Sequence, residues 1–313
     1  MNEARKMSSN SEVQKAPEGS KSAAFPIVGL ILVQVLFGFN YAAMKVILEQ
    51  FPPVLWGAIR MFLAAAIMFA FAFFILPKEQ RKIDGDFLKK TFFFGLIGVA
   101  MNTAFFQLGL EYTTASNSAI LNTLTPIFTL LFAILARQER FTIFRGAGFL
   151  VAVMGVLVLN NVESLDLSGP TMKGDIYTIL NCITLALLFT LSRDFLKKHS
   201  PFWATAWMFL FGSLMLFAVS FQDFSKMIPS HVDGRLGLAV LYNVVGATIL
   251  TFFLNLWSLT KVNPSLVGLF IYLQPVVAVF NSWYTFGEVP SARMTIAMTC
   301  IFIGVGLGVI KKA

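Results

Sequence analysis

The sequence predicts an all-α membrane protein of ten transmembrane helices built as two inverted five-helix repeats. Three observations lead there. The 313-residue chain is 57% hydrophobic and 13% charged, with a mean hydropathy of +0.75, outside the range of soluble domains. It divides into ten apolar runs of helix length, close to the ~20 residues that a bilayer span needs. Landmarks also recur at a fixed interval: Pro126 and Pro275, Glu139 and Glu288, and Gly155 and Gly304 are each 149 residues apart, which marks an internal duplication. Five spans per copy is an odd number, so the second copy enters the membrane from the opposite face, the arrangement of carriers that work by alternating access.

Residues 1–25 mix Ser, Lys and Glu and read as a disordered cytoplasmic tail. The apolar run after them has no small-residue cleavage site and is not read as a removed signal peptide. Spans follow at 26–48, 53–76, 91–110, 113–135 and 141–160 in the first repeat (26–160). Those of the second repeat (174–310) are at 174–192, 202–221, 235–258, 262–284 and 291–310. In the earlier part of each copy the interval is 148, from Lys45 to Arg193 and from Pro53 to Pro201, so one residue was gained between the two parts. Eighteen Lys and Arg lie in the tail, the even-numbered connectors and the C-terminus, against Lys173, Lys226, Arg235 and Arg293 on the other side. The excess of positive charge puts both termini in the cytoplasm. It also accounts for the net charge of +8 without a nucleic-acid partner. Cys182 and Cys300 fall inside apolar runs, where thiols act as small hydrophobes, and they imply neither a disulfide nor a metal.

Within the spans, Pro126 and Pro275 each lack a backbone N–H and clash with the carbonyl four residues earlier. Each therefore kinks its helix and frees the carbonyl of Asn122 or Ile271. Both read as hinge or gate positions, with static packing as the other reading. Beside them, Thr125 reads as satisfying freed carbonyls, while Gln274 has the reach either to do the same or to bind solute.

Arg60 lies seven residues into the second span, ~10 Å deep at 1.5 Å per residue. An arginine at that depth is costly and turns to a cavity or a partner. Its repeat counterpart is Met208. Symmetric residues serve the mechanics that both halves share, whereas polar residues without a polar counterpart serve a solute that has no symmetry of its own. By that logic Arg60, Asn40 (counterpart Leu188), Gln107 (Leu256) and Asn122 (Ile271) are solute contacts. For Arg60, snorkelling or a structural bond to a neighbouring helix end stands as the alternative. Asn102 and Thr251, a polar pair near the middle of spans three and eight, are also placed on the cavity. Tyr41 and Tyr272 are candidates to stack on an aromatic or heterocyclic solute. Trp203 and Trp207, near the start of span seven, read as interfacial anchors, and Lys45 lies close to an outer end. Glu139 and Glu288 read as holding the ends of their spans against the next helix. Gly148 with Ala152 and Gly304 with Gly308 form small-xxx-small faces, suited to packing within the fold or to a dimer. No Asp or Glu sits mid-span to bind a lipophilic cation or carry a proton. The expected solute is therefore anionic or zwitterionic, with its carboxylate or phosphate on Arg60.

The run Gly38-Phe39-Asn40-Tyr41-Ala42, Arg60, the Leu-Thr-Pro and Leu-Gln-Pro turns at Pro126 and Pro275, the glutamates after them and the glycine-rich fifth and tenth spans carry a resemblance. Over residues 26–310 the chain resembles the ten-helix, EamA-like branch of the drug/metabolite transporter superfamily. The resemblance implies a central cavity lined mainly by spans one to four and six to nine, with five and ten peripheral, and a bacterial inner membrane. It implies a carrier that exports or exchanges small zwitterionic or anionic metabolites, amino acids first. A nucleotide-derivative or sugar-phosphate exchanger is the alternative, although it would call for several cavity cations. A lipid scramblase or sensor on the same scaffold is the alternative from another class. An integral membrane enzyme lacks support, since no Cys/His metal cluster, Asp-rich motif or phosphate-cradling glycine loop is present. The expected partners are a small solute and the lipid bilayer, with no cofactor and with the chain a monomer or homodimer.

Overall fold

The computed structural model describes residues 21–113, 118, 121–159, 171–226, 233–277, 279–280 and 291–309, without the side chains of 21–23, 41, 42, 45, 159 and 309. Among the described residues the regular structure is entirely helical. The first half contains α1 (Lys21–Leu48) and α2 (Pro53–Ile75). Next, α3 (Gly85–Gly95) passes through π-helical turns at Leu96–Met101 into α4 (Asn102–Tyr112). α5 (Leu124–Leu135) and α6 (Ile143–Leu159) complete the half. The second half contains α7 (Met172–Lys198) and α8 (Pro201–Val219). There α9 (Gly234–Leu241) passes through π-helical turns at Tyr242–Leu250 into α10 (Thr251–Leu259). α11 (Pro264–Leu269) leads into a 3-10 turn at Phe270–Leu273, and α12 (Ala292–Val309) is last. Among the described residues five continuous helices are long and apolar enough to cross a bilayer: Pro53–Ile75, Gly85–Tyr112, Met172–Lys198, Pro201–Val219 and Gly234–Leu259. Shorter apolar helices of 10–17 residues accompany them.

Local chemistry explains the starts. Pro53 and Pro201 occupy the first turn of α2 and α8, where no N–H partner is needed. Asp84 and Asp233 cap α3 and α9: Asp84 Oδ1 accepts from the Phe87 amide at 2.7 Å, and Asp233 Oδ1 from the Leu236 amide at 2.8 Å. The cap sets the third span's start at Gly85, earlier than the position 91 that hydropathy alone indicates. An exposed Lys90–Asp86 pair at 2.7 Å lies along that polar first turn. The π-helical turns were not legible in the sequence, because a wide turn leaves the apolar composition of a span unchanged. They fall at matching places, and the α-helix resumes at Asn102 in one half and at Thr251 in the other.

Helices pack across the halves: α2 on α8, α4 on α7, α1 on α10, α5 on α11 and α6 on α12. The last pair is the closest. A Cβ on Gly148 would stand 2.7 Å from the Gly304 carbonyl oxygen, and one on Gly304 would stand 2.5 Å from the Ala152 amide nitrogen. The two small-residue faces therefore pack on each other within the chain. Trp203, expected at the membrane interface, is buried instead, edge-on to Phe69 at 5.2 Å between α2 and α8. Its ring fills the gap between two long apolar helices, a burial that its place near a span end does not reveal.

Candidate functional site

A cavity of about 210 Å³ lies between the two halves. Its wall comes from α1, α2, α4, α7 and α10, with Asn122, Thr125, Ile271 and Gln274 from the proline-containing spans, while α6 and α12 contribute none of the described lining residues. It extends from Leu48 and Leu110, at the C-terminal ends of α1 and α4, to Asn255, one turn from the end of α10. Arg60, Asn40, Asn102, Asn122 and Gln274 come together on this wall. Gln107, Thr251 and Tyr272 are buried off it. The Thr251 hydroxyl donates to the Ala247 carbonyl at 2.7 Å, as threonines in apolar helices do. Tyr272 donates to the Thr123 carbonyl at 3.0 Å and sets its ring edge-on to Phe149 at 6.3 Å. Polarity at mid-span located these residues but not the side of the helix they occupy. The Tyr41 and Lys45 side chains and Glu288 lie outside the described residues.

Sequence reasoning missed Gln34, Asn181 and Asn255, all on the wall. The rule that selected Arg60 would have found them, because their repeat counterparts are Cys182, Val33 and Phe106. Four phenyl rings, those of Phe37, Phe106, Phe189 and Phe252, complete the lining.

The lining contains one cation and no carboxylate among the described residues. Among the described residues Arg60 has neither an ion-pair nor a hydrogen-bond partner, and its Nε is buried. Several neighbours are committed. Asn102 Nδ2 donates to the Asn181 carbonyl at 3.1 Å, and Asn181 Nδ2 returns a bond to the Asn102 carbonyl at 2.9 Å, which stitches α4 to α7. Asn40 Oδ1 accepts from Asn243 Nδ2 at 2.7 Å, and Asn243 Oδ1 accepts from Trp56 Nε1 at 2.9 Å. That relay joins α1, α2 and the π-helical turns between α9 and α10.

Both prolines lie just past an interruption. Thr123 turns out of the helix before α5, and the 3-10 turn at Phe270–Leu273 precedes Pro275. The Tyr272–Thr123 hydrogen bond connects residues 149 apart, so counterparts in the two halves meet where the two breaks meet.

Beyond the Asn255 end, where α5 finishes and α11 begins, a polar clasp joins the halves. Glu139 is buried with its side chain fully enclosed. Its carboxylate accepts from the Ser265 amide at 3.0 Å and from the Ser265 hydroxyl, and it pairs with Arg145 at 2.9 Å. It supplies an acceptor to the first turn of α11, whose own N-cap residue Asn263 makes no side-chain cap. Asn263 Oδ1 instead accepts from Arg193 at 2.7 Å, and Gln138 Nε2 donates to the Thr190 carbonyl at 2.9 Å.

Apolar spanning helices around an amide-lined cavity, with a cation unpaired among the described residues, fit a multi-pass membrane transporter. The chain belongs to the EamA-like transporter family, which matches it twice, over residues 24–161 and 172–310. Each match covers one of the two halves. The chain is 21% identical to the uncharacterized transporter YoaV of Bacillus subtilis (strain 168), over 89% of this chain and 94% of that one. It is 28% identical to the transporter YetK of the same organism, over 91% and 87% of the two chains. It is 24% identical to the WAT1-related protein At3g18200 of Arabidopsis thaliana, over 84% and 75%. A crystal structure 18% identical in sequence shares the fold, with a TM-score of 0.76 over 91% of this chain and 96% of the other.

Proposed function

We propose that this transporter carries a small zwitterionic or anionic metabolite, amino acids first, through the central cavity by alternating access, as an exporter or exchanger in a bacterial inner membrane. The observation that carries the reading is Arg60, a cavity cation with no protein counter-ion among the described residues. A carboxylate held bidentately would supply that partner. One such cation suits a singly charged acid better than a nucleotide or sugar phosphate.

The mechanics follow from two inverted five-helix repeats with both termini cytoplasmic. Support comes from elements that recur at the repeat interval: the Asp84 and Asp233 caps, the Asn102 and Thr251 restarts, and the Thr123–Tyr272 bond. On this reading the Glu139 clasp closes the cytoplasmic end, and the Leu48 and Leu110 end of the cavity is the one that opens to the opposite face. Pro126 and Pro275 are the hinges about which the fourth and ninth spans swing when the closed end changes sides.

A binding screen on the purified protein tests the solute class. Amino acids, monocarboxylates, sugar phosphates and lipophilic cations are compared for their ability to raise the melting temperature of wild type and of Arg60→Gln. The expected result is a rise with acids, in wild type only. A rise with lipophilic cations, or with acids equally in the variant, would overturn the reading.

A further inference from the structure

Hydrogen bonding sorts the amides of the cavity wall into two sets. Asn102 and Asn181 spend their donors on each other's backbone, and Asn40 gives its oxygen to Asn243. Gln34, Asn255 and Gln274 differ. Among the described residues none of these three side chains is hydrogen-bonded to the protein, and Gln34 is 1% exposed with its Oε1 buried and unpartnered. A buried acceptor without a donor is destabilising, and at a binding surface the ligand can make up that deficit.

Gln34 and Gln274 share a depth, and Asn255 lies on the same wall, nearer the end of α10. α1 runs antiparallel to the span formed by α9 and α10: Tyr242 donates to the Leu36 carbonyl at 2.7 Å, and further back along α1 a Cβ on Gly29 would stand 3.6 Å from Leu254 and 3.8 Å from Trp257. Gln34 falls between those two contacts, about a turn and a half from the level of Asn255, which lies beside Gly29. α11 turns back from α10 and so runs parallel to α1, where Gly38 abuts Val277 with no room for a Cβ. Gln34 precedes Gly38 by one turn and Gln274 precedes Val277 by nearly one, which puts them at matching height. Arg60 is close to that level. Trp56 is tied through Asn243 to Asn40, and Arg60 is one turn further inward along α2. Along the helix axes it is offset from Gln34 by about a turn or less, and both side chains line the same cavity.

We infer that Gln34, Asn255 and Gln274 form a carboxamide subsite for the nitrogen-bearing group of the solute, so that the substrate is a zwitterion and not a simple acid. The inference rests on Arg60 as the anchor of the acid. A plain carboxylate on Arg60 would leave the Gln34 oxygen unpaired. An ammonium brings donors to Gln34 Oε1 and to the amide oxygens of Asn255 and Gln274, with no fixed negative charge required. The phenyl rings of Phe37, Phe106, Phe189 and Phe252 leave an apolar surround for the rest of the molecule.

Matched pairs of probes test this: leucine with 4-methylpentanoate, and 6-aminohexanoate with hexanoate. Each is titrated against purified wild type, Gln34→Leu, Asn255→Leu, Gln34→Glu and Arg60→Gln, with affinity read from the concentration dependence of the melting temperature. Wild type prefers the amino member of at least one pair by about tenfold or more, since a hydrogen bond to a charged group contributes on that scale. Gln34→Leu and Asn255→Leu lower the amino-to-plain affinity ratio toward one. Gln34→Glu, which keeps the side-chain size, raises it, and this variant decides the matter if the leucine variants do not fold. An unchanged ratio in the Gln34 and Asn255 variants, with binding still dependent on Arg60, overturns the subsite and spares the anchor. Binding that ignores Arg60 overturns both.

Discussion

Replacing Glu139 with alanine removes a buried carboxylate that ties the end of α5 to the start of α11. Its carboxylate serves the Ser265 amide, the Ser265 hydroxyl and Arg145 at once. Hydrogen bonds to a buried charge contribute about 1.5–3 kcal/mol net. Arg145 is 25% exposed, so its pair is worth less, about 1 kcal/mol, closer to surface pairs. The expected loss is on the order of 3 kcal/mol, below the sum, because the first turn of α11 regains some water. Glu139→Gln keeps an acceptor for the Ser265 amide and drops the charge, and should lose about 1 kcal/mol. Thermal unfolding of the purified protein in detergent measures both. At about 2 °C per kcal/mol for a chain of this size, alanine lowers the midpoint by about 6 °C and glutamine by about 2 °C. A double-mutant cycle with Arg145→Ala should return a coupling of about 1 kcal/mol. If both Glu139 variants melt with wild type and the cycle shows no coupling, the carboxylate does not hold the halves together and the clasp is not a closure.

Asn243→Ala leaves Trp56 Nε1 buried without an acceptor and should cost about 1–3 kcal/mol, read in the same melt. Asn102→Ala breaks a bond that stitches α4 to α7; it should lower the melting temperature while solute affinity stays within about threefold. Pro126→Ala and Pro275→Ala restore backbone donors at the two breaks. Turnover in proteoliposomes should fall by on the order of tenfold while equilibrium binding changes little, and unaltered turnover would show that neither break is a hinge.

Much of the fold was legible because membrane spans advertise themselves. Every buried backbone group must be satisfied within a helix, so apolar length and charged connectors mark the boundaries. The duplication was legible because Pro126 and Pro275 could be aligned by residue number alone. What escaped were features that depend on the direction in which a side chain points. Thr251 and Asn102 are counterparts, yet only Asn102 reaches the cavity, while Thr251 satisfies a carbonyl of its own helix. Gln34 was passed over because one glutamine in an apolar run changes hydropathy little, and only the packing of α1 against α10 reveals that its oxygen is unpaired. The π-helical turns, which shift the register ahead of Asn102 and Thr251, leave no compositional mark.

The central claim is that Arg60 holds the solute on its way through the cavity. Flux tests it most directly: liposomes are preloaded with a mixed metabolite extract and carry wild type, Arg60→Lys, Arg60→Gln or no protein, with mass spectrometry of what escapes and a check that each variant is folded. Zwitterionic acids should leave through wild type, more slowly through Arg60→Lys, which keeps the charge without the bidentate fork, and at the protein-free rate through Arg60→Gln. Equal escape of the same acids through wild type and folded Arg60→Gln would contradict it.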